Sequence, residues 1–307
     1  MGLDVTRDAR TAALSRLIDY AGLFPPARLA MESAVAGYRA GRGGGNAWMI
    51  DRFICPASRL THLAAVLVAT MDEWEDPWRV TVTADGGPDA VGSDALAVRA
   101  FDSQMNGSAL IEVVETALPA SDAGDWMIRA ADVLERPVFF EIPWRDGATA
   151  ALDSVVSTRE TVGATLGAKL RCGGRVAEAF PPPGVVATVI AGCRDRELRL
   201  KATAGLHHPF RHFDPETGFS HHGFVNLLAA STAATGGADL VELTEIVGDT
   251  DPSSFALDQG GLTWRGHRFG GSTVTRNRER LFVGYGSCSF DEPVEDLTAI
   301  GVLPVGP

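Results

Sequence analysis

Lysine is what the sequence lacks most: of 27 basic residues only Lys169 and Lys201 are lysines, and the other 25 are arginine. Cysteine is scarce too. Cys55, Cys172, Cys193 and Cys288 lie far apart with no C-x-x-C pair, which argues against a disulfide framework or zinc ribbon and leaves free thiols. No apolar run approaches the roughly 18 residues of a membrane span, and the opening MGLDVTRDAR lacks the basic-then-apolar order of a signal peptide. The expected location is the cytoplasm, with no membrane partner. Positive charge is in deficit as well. A net charge of -12 repels a phosphate backbone, and no arginine stretch is interleaved with aromatics, so no nucleic-acid partner is expected.

What remains is a globular composition, 45% hydrophobic with 34 glycines in 307 residues, enough for two domains or one large α/β barrel. Short β-rich runs occur at 17–22, 49–55, 79–84, 109–114, 137–142, 167–172, 198–204 and 281–286. The first seven start about 30 residues apart, separated by Ala-rich segments of helical periodicity such as 60–71, 122–135 and 184–193. Such even alternation predicts one (β/α)8 TIM barrel over 1–307 in preference to an open doubly wound sheet. The interval breaks between the seventh and eighth runs. There the sequence predicts helices near 219–235 and 238–247 and a polar segment, so that 236–280 forms a hairpin or a lid insertion. The GRGGG run at 41–45 has no G-x-G-x-x-G order and reads as a loop.

Barrels of this type place their chemistry at the carboxyl ends of the strands. Those positions hold Asp19 and Tyr20, Asp51 and Cys55, Asp85, Glu112 and Glu115, Glu141, then Lys169 with Arg171 and Cys172, Lys201 with Thr203 and His207, and last Tyr285 with Ser287 and Cys288. Both lysines fall on the sixth and seventh runs. Strand alternation puts Lys169 with Arg171 on one face and Lys201 with Thr203 on one face. An amine turned outward would sit unpaired under an apolar helix layer, so both are expected to point inward. Arginine keeps its proton in a protein and lysine can lose it, so two retained lysines suggest chemistry that needs an amine. A second ammonium close by favours the neutral form of the first, which attacks carbonyls. On this basis Lys201 is the expected nucleophile, tuned by Lys169, with Glu141 and Glu112 relaying protons or holding the second lysine charged.

The lysines of GAKLRCGG and LRLKATAGL resemble those of class I, Schiff-base aldolases of the deoxyribose-phosphate aldolase type, whose barrel carries lysines on strands six and seven. The resemblance covers 167–206 and 281–289 and is one of architecture. It implies a lyase acting on a small carbonyl compound, with phosphate held near Ala204 and Gly205 and at the GYGSCS turn, 284–289. No resident cofactor is implied. Two departures stand out: the long excursion before the eighth strand, and a histidine cluster after the seventh.

That cluster, GLHHPFRHFDPETGFSHH at 205–222, carries five of the seven histidines. His207, His208, His212, His221 and His222 are candidate ligands for a metal-dependent hydrolase or lyase, with Glu141 or Glu112 adding a carboxylate. Its spacing fits no zincin helix, and Pro209 interrupts one. The alternative is a polar loop in which His207 and His208 act as general acid or base. A helix starting near Ser220 would turn the N–H groups of His221 and His222 toward an anion, with Arg171, Arg211, Gly205, Ser287, Tyr285 and Asp19 completing a carboxylate or phosphate site. Tyr20 and Tyr285, on the first and eighth runs, are candidates to meet inside the barrel. A barrel that binds a ligand without catalysis is a third reading. A homo-oligomer is compatible with the sequence and not required by it.

Overall fold

The structure is a computed structural model that describes residues 8–304. Helix α1 (Ala9–Leu14), whose first N–H groups donate to the Asp8 carboxylate, leads to β1 (Ile18–Tyr20). There follow α2 (Met31–Gly43), β2 (Ile50–Pro56), α3 (Leu60–Thr70), β3 (Trp78–Ala84), α4 (Val91–Met105), β4 (Ala109–Ala117), α5 (Ala123–Leu134), β5 (Val138–Glu141), α6 (Ala148–Val162), β6 (Leu166–Arg171), α7 (Pro183–Asp195) and β7 (Arg199–Thr203). A short hairpin, β8 (His212–Asp214) and β9 (Phe219–His221), precedes α8 (Phe224–Thr235) and α9 (Leu240–Gly248). An antiparallel meander comes next, β10 (Phe255–Asp258), β11 (Gly261–Trp264) and β12 (His267–Gly270), and the chain ends with α10 (Gly271–Arg280), β13 (Phe282–Ser287) and α11 (Asp291–Ala299).

Strands β1 to β7 and β13 close a barrel in the order β1-β13-β7-β6-β5-β4-β3-β2, a (β/α)8 TIM barrel. All eight strands lie within a few residues of the β-rich runs, because each run is bracketed by turn residues and followed by an Ala-rich helix that must cover its apolar face. Contacts group the chain into two compact units. One holds Leu170–Tyr285 with the described residues 8–17 and 291–304; the other holds Ile18–Lys169 with Gly286–Phe290. Among the described residues no helix is long and apolar enough to cross a membrane.

Two expectations change, and the hairpin expected within 236–280 is present as part of an antiparallel meander. The glycine run at 41–45 is helical through Gly43, because α2 extends that far and presses Gly41 against its neighbours. A Cβ on Gly41 would meet the Ile50 side chain at 2.9 Å and the Phe290 ring at 3.1 Å. The segment from 236 onward forms α9, a three-stranded meander and α10; the meander packs on α1 and α10, and the Ala9 N–H donates to the Gln259 carbonyl. Second, the helix placed near Ser220 begins only at Phe224, after strand β9. Its first N–H groups are spent on backbone: Phe224 donates to the His208 carbonyl and Val225 to that of Pro209. Gly223 makes this approach feasible, since a Cβ there would fall 2.3 Å from the Pro209 oxygen. The N–H groups of His221 and His222 therefore do not open a helix toward an anion.

Candidate functional site

Within the 18–169 unit, sidedness follows from packing. Phe53 and Trp78 meet the Tyr38 ring of α2 with centroids 5.5 and 4.7 Å away, so these positions face the helices. The alternate set, Arg52, Arg79, Thr81 and Thr83, faces the barrel interior. On β4 the alternation is interrupted. Val80 of β3 pairs with Ile111 and the next residue, Thr81, pairs with Val113, so Glu112 is the extra residue of a bulge. Beyond the bulge Val113 and Glu115 share the face of Thr81 and Thr83, with Glu115 directly opposite Thr83. On β5 the Phe140 ring packs on Trp126 of α5, which turns Phe139 and Glu141 inward, and Glu141 pairs with Lys169 of β6.

The consequence is a three-member cluster in the carboxyl half of these strands. Lys169 Nζ lies 3.0 Å from Glu115 Oε2 and 3.3 Å from Glu141 Oε2. Lys169 is 8% exposed and Glu115 3%, whereas the Glu141 side chain is 28% exposed and forms the solvent edge. A buried ammonium without such partners would cost several kcal/mol. Glu141 is one of the two carboxylates on Lys169; the other, Glu115, is the partner that alternation alone did not single out.

Glu112 and Asp19 belong elsewhere. Glu112 accepts from Arg52 Nε at 2.9 Å and from Arg79 Nε at 2.7 Å, and both arginines also bind the Asp51 carboxylate. Asp19 accepts from the Arg52 N–H at 3.1 Å and from the Thr81 hydroxyl at 3.3 Å. This network draws on the early residues of β2 and β3, toward the amino ends of the strands, the end of such a barrel away from the loops that carry chemistry. Neither carboxylate meets Lys169 in it, which corrects the proton-relay role expected of Glu112.

In the 170–285 unit Lys201 lies on β7, 3% exposed. The Cys172 N–H donates to the Thr203 carbonyl at 2.7 Å, joining the carboxyl ends of β6 and β7. Immediately beyond, Ala204 adopts φ +64 and Gly205 φ +70, two successive left-handed residues. For alanine that conformation stores on the order of 1–3 kcal/mol, a strain concentrated at functional loops. Gly205 is pressed against the Phe180 ring, where a Cβ would sit 2.8 Å from a ring carbon. Arg171 is exposed, its Nε donating to the Gly173 carbonyl at 3.1 Å. Ser287 ends β13, 3% exposed, in the 18–169 unit, and its carbonyl accepts from the Ala21 N–H.

The tyrosine expectation is corrected. Tyr20 packs its ring against Tyr38 and Phe53, and Tyr285, fully buried, stacks on Phe224 of α8 with centroids 5.1 Å apart. Each therefore lies on the helix side of its strand, and burial pushes the Tyr285 hydroxyl well above its ordinary pKa. Thiol chemistry at Cys55, Cys172 and Cys193 is disfavoured by the same effect, burial pushing each up to about 12, and none of the four cysteines is in a disulfide.

The histidines of 207–222 separate into distinct jobs. His207 Nδ1 lies 3.0 Å from Glu292 and His208 Nδ1 lies 2.7 Å from Asp296, both on α11. His221 stacks with Phe219 and faces Phe180, and its pKa is lowered by burial, with Asp214 3.5 Å away opposing. His222 is fully buried; its Nε2–H donates to the Pro181 carbonyl at 2.7 Å, Arg211 Nη1 donates to its Nδ1, and burial lowers its pKa to about 4. Arg211 is itself tied in, its N–H donating to Asn226 Oδ1. Among the described residues no group of three or more His, Cys, Asp or Glu side chains is arranged to hold a metal. Compared with known proteins, the sequence matches no family model and no curated relative.

Proposed function

We propose that the chain is a barrel lyase, aldolase- or dehydratase-like, that acts on a small anionic carbonyl compound through a lysine amine. The carrying observation is the Lys169–Glu115–Glu141 cluster in a protein that has kept only two lysines. Of the two lysines, Lys201, on the next strand in the barrel order, matches the Schiff-base lysine of the aldolase resemblance and is the proposed nucleophile. The strained turn three residues past Lys201 and the buried setting of that side chain favour the same assignment.

Neutral Lys201 Nζ adds to the carbonyl carbon, the carbonyl oxygen departs as water, and an iminium forms. Loss of the proton from the β-hydroxyl lets the bond between the α and β carbons break, its electron pair passing to the iminium to give an enamine. Glu141, the solvent-edge carboxylate beside Lys169, is a carboxylate able to take a proton. Protonation of the enamine and hydrolysis return the amine. In the dehydratase version the α proton is removed and the β-hydroxyl leaves as water from the same iminium. Borohydride reduction in the presence of pyruvate tests the proposal: a stable adduct on Lys201 is expected, and its absence would overturn the covalent route.

A further inference from the structure

Among the described residues Thr83 Oγ1 is buried and has no hydrogen-bond partner. The setting of this hydroxyl separates it from the other unpartnered polar atoms. Tyr285 is in the helix layer, Asp94, Asn277 and Arg278 are on helices α4 and α10, and Arg42 is on α2. Thr83 alone of this group stands on the inner face of a barrel strand. It lies two residues past Thr81, whose hydroxyl reaches Asp19 of β1, and directly opposite Glu115, the buried partner of Lys169.

A buried hydroxyl with nothing to bond is unfavourable, and valine would fill the same β-branched volume without that cost. The other inward threonine on this strand, Thr81, is satisfied by protein; Thr83 is left with a donor and acceptor beside the Lys169 cluster. We infer that Thr83 is a specificity-determining residue that hydrogen-bonds a hydroxyl of a ligand seated beside the Lys169–Glu115–Glu141 cluster. The substrate class is then narrowed from anionic carbonyl compounds to their hydroxylated members. This inference rests on the carbonyl-binding reading above, and its test must stand apart from covalent trapping.

The test compares hydroxypyruvate with pyruvate, a pair that differs by one hydroxyl. Their dissociation constants are measured by ligand-observed NMR in the Lys201→Met protein, where no imine can form. Hydroxypyruvate is expected to bind about five- to ten-fold more tightly, as one hydrogen bond in a buried site would give. Thr83→Val in that background should bring the ratio close to one, and Thr83→Ser should keep it. The same ratios are read in the protein that retains Lys201, so the folding of one variant does not decide the outcome. A ratio that survives Thr83→Val, or no preference before that substitution, overturns the inference. Failure of the lysine nucleophile registers elsewhere, as absence of the borohydride adduct while the binding ratio still depends on Thr83.

Discussion

Strand β4 sends Glu112 to a pair of arginines and Glu115, three residues on, to a lysine. The two clusters are made of similar groups. One joins Asp19, Asp51 and Glu112 to Arg52 and Arg79; the other joins Glu115 and Glu141 to Lys169. Their chemistry differs because the cation differs. A guanidinium is planar, always charged and bound in fixed forks, so the arginine network acts as a permanent internal brace. An ammonium is a point charge that gives up its proton more readily, and beside it the strand leaves an unpartnered hydroxyl. Charge buried in a barrel is thus not by itself a sign of catalysis; what distinguishes the second cluster is the unpartnered Thr83 hydroxyl beside it, toward the carboxyl end of the strands.

That contrast can be broken in stability and in chemistry. Lys169→Met leaves two carboxylates facing each other in a buried site and is expected to cost about 3–5 kcal/mol, read by urea unfolding. Adding Glu115→Gln should recover part of that loss; if it recovers none, the ion pair is not what holds the cluster. Arg79→Met is expected to cost less, about 2 kcal/mol, because the Arg79 and Glu112 side chains are each about a quarter exposed and Arg52 still serves Asp51. The folded Arg79→Met protein should still form the borohydride adduct; loss of the adduct there would place the brace in the chemistry and erase the distinction. Glu112→Gln should have the smallest effect of the three, about 1.5 kcal/mol, since one oxygen still accepts from an arginine while the amide nitrogen that replaces the other cannot.

The histidine loop of the other unit gives a separate expectation. His222 has a folded pKa of about 4 against an ordinary 6.5, so as pH falls the unfolded chain takes up the proton first. Its stabilising contribution is complete above about 6.5 and disappears as pH drops toward 4. Between pH 7 and pH 5 the loss should be about 2 kcal/mol, the equivalent of about 1.5 pKa units. Urea titrations at both pH values should show it, and His222→Gln should flatten it. An unchanged slope in that variant would mean His222 is not buried in its neutral form.

The barrel was legible in the sequence because strand spacing and the apolar helices between strands carry the topology, and the inward direction of Lys169 followed from the cost of burying an amine under Ala, Val and Leu. The site was legible only in part. Glu112 and Glu115 are three apart and cannot share a face under strict alternation; only the bulge, which no residue type announces, delivers Glu115 to Lys169. Proximity in sequence misled at 207–222. Five histidines close together suggested one joint function, but Gly223 lets the chain double back on Pro209 and burial takes His222 out of reach of a ligand, while His207 and His208 turn to α11. Tyr285 likewise sits one residue out of phase with the inward positions, which periodicity could not place in a strand containing two glycines.

The most direct measurement is peptide mapping of the protein after incubation with pyruvate and borohydride, alongside the Lys201→Met variant. The expected result is a reduced adduct on the peptide containing Lys201 that disappears in the variant. An adduct on Lys169, or none on Lys201 in folded protein, would contradict the assignment of the nucleophile to β7.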